Sequence, residues 1–135
     1  MSTILTPDFI SVAKDKAVGA YYPSPIPDFQ HSEAASSFKS EFVSECRDAP
    51  TPLSALTYDA VNVLLKSVSI TLENGLALER ENIVKGISSI GQYTGVTGPI
   101  AFDRSGQRPT PLIYFYSIDS GYPGRLVASI PTKGP

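Results

Sequence analysis

The chain has 135 residues, 41% of them hydrophobic and 18% charged, with a formal net charge of -2. That length suits one domain of ordinary size, and the few, scattered basic residues exclude a nucleic-acid binder. Cys46 is the only cysteine, which excludes an intrachain disulfide. The opening MSTILTPDFISVAK lacks the basic and apolar regions of a signal peptide. No apolar run approaches the length of a membrane span, so direct membrane insertion is not expected.

Thr6-Pro7-Asp8 predicts a helix start. Thr caps, Pro suits the first helical position, and Asp faces the positive end of the helix dipole. Phe9, Ile10 and Ala13 form a short apolar stripe ending near Lys14. Residues 17–22, AVGAYY, read as a short buried strand ending in two tyrosines. Pro23, Pro25 and Pro27 then alternate through PSPIPD, which predicts a stiff extended connector.

From Phe29 to Cys46 the period is helical. Ala35, Phe38, Phe42 and Cys46 share a face. After a loop at Asp48–Pro52, the longest helix starts near Leu53. Leu56, Ala60, Val63, Leu64 and Ser67 share one face, and Val61, Leu65 and Val68 widen it. A helix apolar over more than half its circumference calls for packing on two sides. Asn74-Gly75 stops it. A third helix runs from about Ala77 to Ile90, with Ile83, Val84, Ile87 and Ile90 inward and Gly91 as the stop.

Beyond Gly91 the period becomes strand-like. Tyr93 to Arg108 reads as a hairpin in which Gly95 and Gly98 bracket an apolar run and Asp103-Arg-Ser-Gly106 supplies the turn. Leu112–Tyr116 is a strand, Asp119–Gly124 a turn, and Leu126–Ile130 a closing strand. The fold class is α/β, with three main helices followed by a hairpin-rich end.

No catalytic or metal-binding set stands out. His31 and Cys46 bracket one expected helix, roughly 22 Å apart at about 1.5 Å per residue, too far for a dyad. Cys46 reads as a small core residue and His31 as a helix-start residue. Asp103–Gln107 lacks the alternating oxygen ligands of a calcium loop. Glu79-Arg80-Glu81 reads as a solvated first turn. Gly95-Val-Thr-Gly98 lacks phosphate-loop spacing. With one His, one Cys and no convergent carboxylate pair, enzyme chemistry is not expected, nor is a cofactor. Tyr21 and Tyr22, at the end of a strand and before the connector, are the candidate ligand-binding residues, since aromatics at such a boundary can line a cleft.

Four stretches together carry a resemblance: AKDKAVGAYYPSPIPDF, ALTYDAVNVLLKSV, ALERENIVKGISSI and GVTGPIAFDRSGQR, the last with Gly-x-x-Gly-x-x-x-Phe-Asp-x-x-Gly spacing. In this order they resemble the C-terminal portion of type I periplasmic solute-binding proteins, the receptors of branched-chain amino acid (Leu/Ile/Val) ABC transporters. The resemblance implies two α/β lobes that close around a small solute, an amino acid or similar compound, for delivery to an ABC permease in the periplasmic or extracellular space. The alternative it allows is a ligand-sensing or protein-interaction domain of the same fold. It assigns 1–22 to the second lobe, 23–28 to an inter-lobe crossover, 29–91 to first-lobe helices, 92–130 to second-lobe strands and 131–135 to a tail. It also implies that the sheet under those helices lies outside this sequence. The exposed apolar faces are therefore expected to pair with the missing N-terminal half or to drive self-association.

Overall fold

A computed structural model describes residues 7–29, 32–107, 112–119 and 124–131. The chain divides into two compact units, Met1–Pro27 with Thr110–Pro135, and Asp28–Pro109. The chain therefore passes from one unit to the other and back.

In the first unit, α1 spans Pro7–Ala13 with Asp8 in its first turn, and a 3-10 turn follows at Lys14–Ala17. The expected cap, Thr6, lies outside the described residues. Gly19 then adopts φ +85°, which only a residue without Cβ takes readily. This turn delays the strand, so β1 is Tyr21–Ser24, and Ala17 and Ala20 precede it. Pro23 lies within β1, and not in the connector as the sequence suggests. It is tolerated because β1 is an edge strand and needs no donor on its open side.

β4 (Leu112–Ser117) and β5 (Arg125–Pro131), the later strands of this unit, complete an antiparallel sheet of order β1-β4-β5. Tyr22 pairs with Tyr116 across β1 and β4, and their rings stack with centroids 5.4 Å apart. Those two rings, Ala17 and Ile118 form the buried core. Phe9, Ile10 and Ala13 of α1 pack against it, as their stripe predicts.

The second unit begins at Phe29, which is buried with Ala35, Phe38 and Ala55. α2 spans Ser36–Cys46 after a 3-10 turn at Glu33–Ala35. Ala35, Phe38 and Phe42 lie on its packed face. Cys46 does not: it is exposed, because the helix ends there and Arg47 turns left-handed at φ 56°. The expectation of a core cysteine is corrected.

α3 spans Pro52–Glu73. Thr51 and Ser54 form a reciprocal capping box with Pro at the start. Asn74 caps the far end and Gly75 turns at φ +67°. The buried row differs from the expected one. It is Ala55, Asp59, Val63, Ser67 and Thr71, spaced by four. Of the expected face, Val63 and Ser67 are buried, whereas Ala60 and Leu64 are exposed.

The reason is steric. Small or hydrogen-bonding side chains let backbone approach α3 closely, and that is where its neighbours sit. α4 (Arg80–Ser89) packs there through Gly86, where a Cβ would lie 2.9 Å from the Ser67 carbonyl oxygen. Ser67 Oγ donates to the Ile83 carbonyl at 2.6 Å, and Thr71 Oγ1 donates to the Ser67 carbonyl at 2.8 Å. α4 starts later than expected, and Val84 faces out at 53% exposure; Ile83, Ile87 and Ile90 are half-buried.

β2 (Tyr93–Gly95) and β3 (Gly98–Ile100) form the hairpin. Its turn is Val96-Thr97, not Asp103–Gly106. Gly98 at φ +92° closes it. Asp103–Gly106 is a second, separate turn: the Gly106 N–H donates to the Asp103 carbonyl at 3.0 Å. The hairpin falls within Asp28–Pro109, with the helices and apart from β4 and β5.

Candidate functional site

Successive side chains of a strand face opposite ways, and this separates the two candidate tyrosines. Tyr22 is 2% exposed and belongs to the core, stacked on Tyr116. Tyr21 is 66% exposed. Of the two, Tyr21 is the one open to solvent.

Tyr21 opens a polar row across the sheet. It pairs with Ser117 of β4, which pairs with Arg125 of β5. Ser117 Oγ donates to Asp119 Oδ1 at 2.8 Å, and Arg125 Nε donates to Asp119 Oδ2 at 2.8 Å. The Arg125 bond, then the Ser117 bond, hold the Asp119 carboxyl below its ordinary range. The same bond raises Arg125. Such a row can hold a polar group by hydrogen bonds. No sequence motif singles out Arg125 or Asp119; register sets Arg125 opposite Ser117, and Asp119, two residues past Ser117, bonds to both.

The second unit carries a tighter cluster. Asp59 on α3 is 1% exposed. Its Oδ1 accepts the Val96 N–H at 2.8 Å, and its Oδ2 accepts the Thr97 N–H at 2.9 Å and the Thr97 hydroxyl at 2.5 Å. A Cβ at Gly95 would overlap the Asp59 carboxyl group, so Gly95 is required by the approach. The carboxylate is fully engaged in holding the turn and is architectural. The signal available in the sequence is a lone Asp one helical turn from Ala55 and from Val63, on an inward face. Burial, then the nearby Asp59 charge, raises the Tyr93 hydroxyl above its ordinary value.

The remaining sequence candidates do not come together. His31 lies outside the described residues, and Cys46 is exposed. One oxygen of Asp103 accepts from the Ser105 N–H, the Ser105 hydroxyl and the Gln107 N–H, at 2.8, 2.6 and 2.9 Å. That is turn chemistry. Glu81 pairs with Lys85 in solvent at 2.7 Å. Among the described residues, no group of three or more His, Cys, Asp or Glu could hold a metal, and no helix is long and apolar enough to cross a membrane.

The described surface of α3 is in large part apolar. Leu53, Val61, Leu64, Leu65 and Leu72 of α3 are exposed, opposite the buried row. At the start of α3 this stripe runs into an open groove of about 470 Å³ lined by Phe38, Phe42, Leu53, Thr57 and Tyr58. Large apolar side chains in a contiguous exposed patch mark an interaction surface.

The sequence pattern of the family described as periplasmic binding protein matches residues 1–123. The chain belongs to the periplasmic binding protein family. Among solved structures, it is similar to a leucine binding protein from Thermotoga maritima MSB8, with 22% identity and a TM-score of 0.75 over 93% of this chain and 35% of that one. It is also similar to an ABC transporter substrate-binding protein from Desulfitobacterium hafniense in complex with Leu, with 23% identity and a TM-score of 0.63 over 82% and 31%. A third is a solute binding protein of an ABC transporter from R. palustris in complex with benzoate, with 14% identity and a TM-score of 0.66 over 93% and 33%. Curated proteins provide no match. The chain spans about a third of the length of these solved structures. The likeness establishes an α/β fold that matches part of a type I periplasmic binding protein.

Proposed function

We propose that this chain is part of an extracytoplasmic receptor that binds a small solute, an amino acid or a similar compound, and presents it to an ABC permease. It works by binding without chemistry. Ligand shifts a population between open and closed arrangements of two lobes. Family membership carries this reading, together with a chain that passes between two compact units and returns. In it, the unit Asp28–Pro109 belongs to one lobe, and the unit containing β1, β4 and β5 belongs to the other. The receptor acts in the periplasm or outside the cell.

Tyr21 is the residue of this chain proposed to contact solute, through its exposed ring beside Ser117 and Arg125. The apolar stripe on α3 is proposed to be covered by the rest of the receptor. The chain's share of 35% of the Thermotoga protein's length supports this. Stripes of this size are rarely left open in soluble proteins.

The test is a thermal-shift panel of amino acids and aromatic carboxylates on the product of the intact coding sequence. A bound ligand raises the midpoint with the logarithm of its excess over Kd. The expected result is a concentration-dependent rise with one chemical class. A folded protein that no small solute stabilises overturns the proposal.

A further inference from the structure

The Asn74-Gly75 pair that ends α3 also carries a reactive chemistry. An asparagine amide is open to attack by the nitrogen of the next residue, and glycine, with no side chain, shields that nitrogen least. The chain has three asparagines, and Val63 and Ile83 follow the other two, Asn62 and Asn82. Side chains branched at Cβ crowd the nitrogen, and both of those asparagines lie inside helices, α3 and α4. Asn74 is exposed and is the one followed by glycine.

In the folded chain, each group that the attack needs is engaged. The nucleophile is held: the Gly75 N–H donates to the Leu72 carbonyl at 2.9 Å. The leaving group is held too. Asn74 Nδ2 donates to the Ile70 carbonyl at 2.8 Å, beside the Asn74 backbone N–H at 3.1 Å. The backbone is also turned the wrong way. At ψ 6° the Gly75 nitrogen nearly eclipses the Asn74 nitrogen, whereas ring closure needs it to eclipse Cβ, next to Cγ.

We infer that Asn74-Gly75 is a deamidation site that the C-terminal hydrogen bonds of α3 hold closed, and that it opens when the last turn of the helix lets go. Water is the only co-reactant. Once free, the Gly75 nitrogen gives up its proton to solvent, and its electron pair forms a bond to Asn74 Cγ. The Cγ–Nδ2 bond breaks, and Nδ2 takes a proton from solvent and leaves as ammonia. Water then opens the five-membered succinimide. Attack at Cγ gives aspartate. Attack at the main-chain carbonyl carbon gives isoaspartate, with Gly75 now linked through the side chain. In both, the ring C–N bond breaks and its nitrogen recovers a proton. Either product puts a carboxylate at the negative end of the helix dipole, and the Ile70 carbonyl loses its amide donor. Isoaspartate also adds a methylene to the backbone between the Thr71 carbonyl and the Leu76 N–H that donates to it at 3.1 Å.

The test needs no solute. The full chain is aged at mildly alkaline pH, in buffer and in guanidinium chloride, and its asparagines are followed by peptide mapping with mass spectrometry. The denatured chain is expected to gain aspartate and isoaspartate at Asn74 ahead of Asn62 and Asn82. The native chain should do so at least about tenfold more slowly, since reaction waits on a local opening. Glu73→Gly touches neither reacting residue and weakens the exposed last turn, so the native rate should rise severalfold while the denatured rate stays the same. A native chain that ages as fast as the denatured one overturns the inference. So does a denatured chain in which Asn74 stays intact, or a folded Glu73→Gly chain that keeps the slow native rate.

Discussion

The carboxylate of Asp59 on α3 holds the turn at Thr97, 38 residues further along the chain, by accepting both its N–H and its hydroxyl. One buried charged side chain thereby fixes the hairpin to the helix. Its third bond, from the Val96 N–H, leaves the turn's two consecutive donors satisfied. Asp59→Ala strands those donors in a buried site, at about 1–3 kcal/mol for each unsatisfied group. The expected loss of stability is about 3 kcal/mol. Asp59→Asn keeps one acceptor and should cost less, and Thr97→Val about 1–2 kcal/mol. Urea denaturation checks the order. Equal stability in Asp59→Ala contradicts the role.

Gly86 sets how closely α4 approaches α3. A Cβ there would lie 2.9 Å from the Ser67 carbonyl and 3.2 Å from Thr71 Oγ1, besides meeting Ser67 Oγ. Gly86→Ala should cost about 1–3 kcal/mol, as overpacking does. Adding Ser67→Ala removes the flexible part of the clash but not the carbonyl. The double-mutant cycle should therefore show partial rescue. Strict additivity would mean that the two residues do not share this contact.

Asp119 gives a pH signature. Its folded pKa is depressed by Arg125 first and Ser117 second. A depressed carboxyl contributes stability that is present above its unfolded pKa and is lost as pH falls through the folded value. The window therefore lies below the ordinary aspartate range. Arg125→Gln removes the larger cause, so the Asp119 carboxyl should titrate at higher pH in a carbon-detected NMR titration. An unmoved titration contradicts the pairing.

The α3 stripe predicts association. The 135-residue chain by itself should bind an apolar dye and grow in mass with concentration by light scattering. Leu64→Glu with Leu72→Glu should reduce both while leaving the Ser67–Ile83 bond intact, since these leucines are exposed and neither takes part in that bond. A monomer with little dye binding contradicts it.

Much of the fold is legible in local chemistry. The start expected near Leu53 falls one residue after that of α3, Asn74-Gly75 ends the helix as expected, and the Phe9, Ile10 and Ala13 stripe packs as its spacing predicts, whereas the expected loop takes in both the Thr51 cap and Pro52. The faces of α3 and α4 are less legible. Apolarity alone assigns Leu64 and Val84 inward, whereas close backbone approach selects Ser67, Thr71 and Gly86. The sequence carries no sign of that choice until the partner element is known. The hairpin shows the same limit. Asp103-Arg-Ser-Gly106 has ideal turn chemistry and does make a turn, but Val96-Thr97 makes the hairpin because Asp59 is there to bind it. At the candidate site, alternation along β1 is readable and separates Tyr21 from Tyr22 once the strand's partners are known. Arg125 is not readable, because cross-strand register through Ser117 brings it into line with Tyr21.

The central claim is a receptor that binds by closing. Small-angle X-ray scattering tests it most directly, on the product of the intact coding sequence with and without the stabilising solute at saturation. The account predicts a smaller radius of gyration in the bound state, and a Tyr21→Ala variant that needs more solute to reach it. Saturable binding with an unchanged radius of gyration would contradict it.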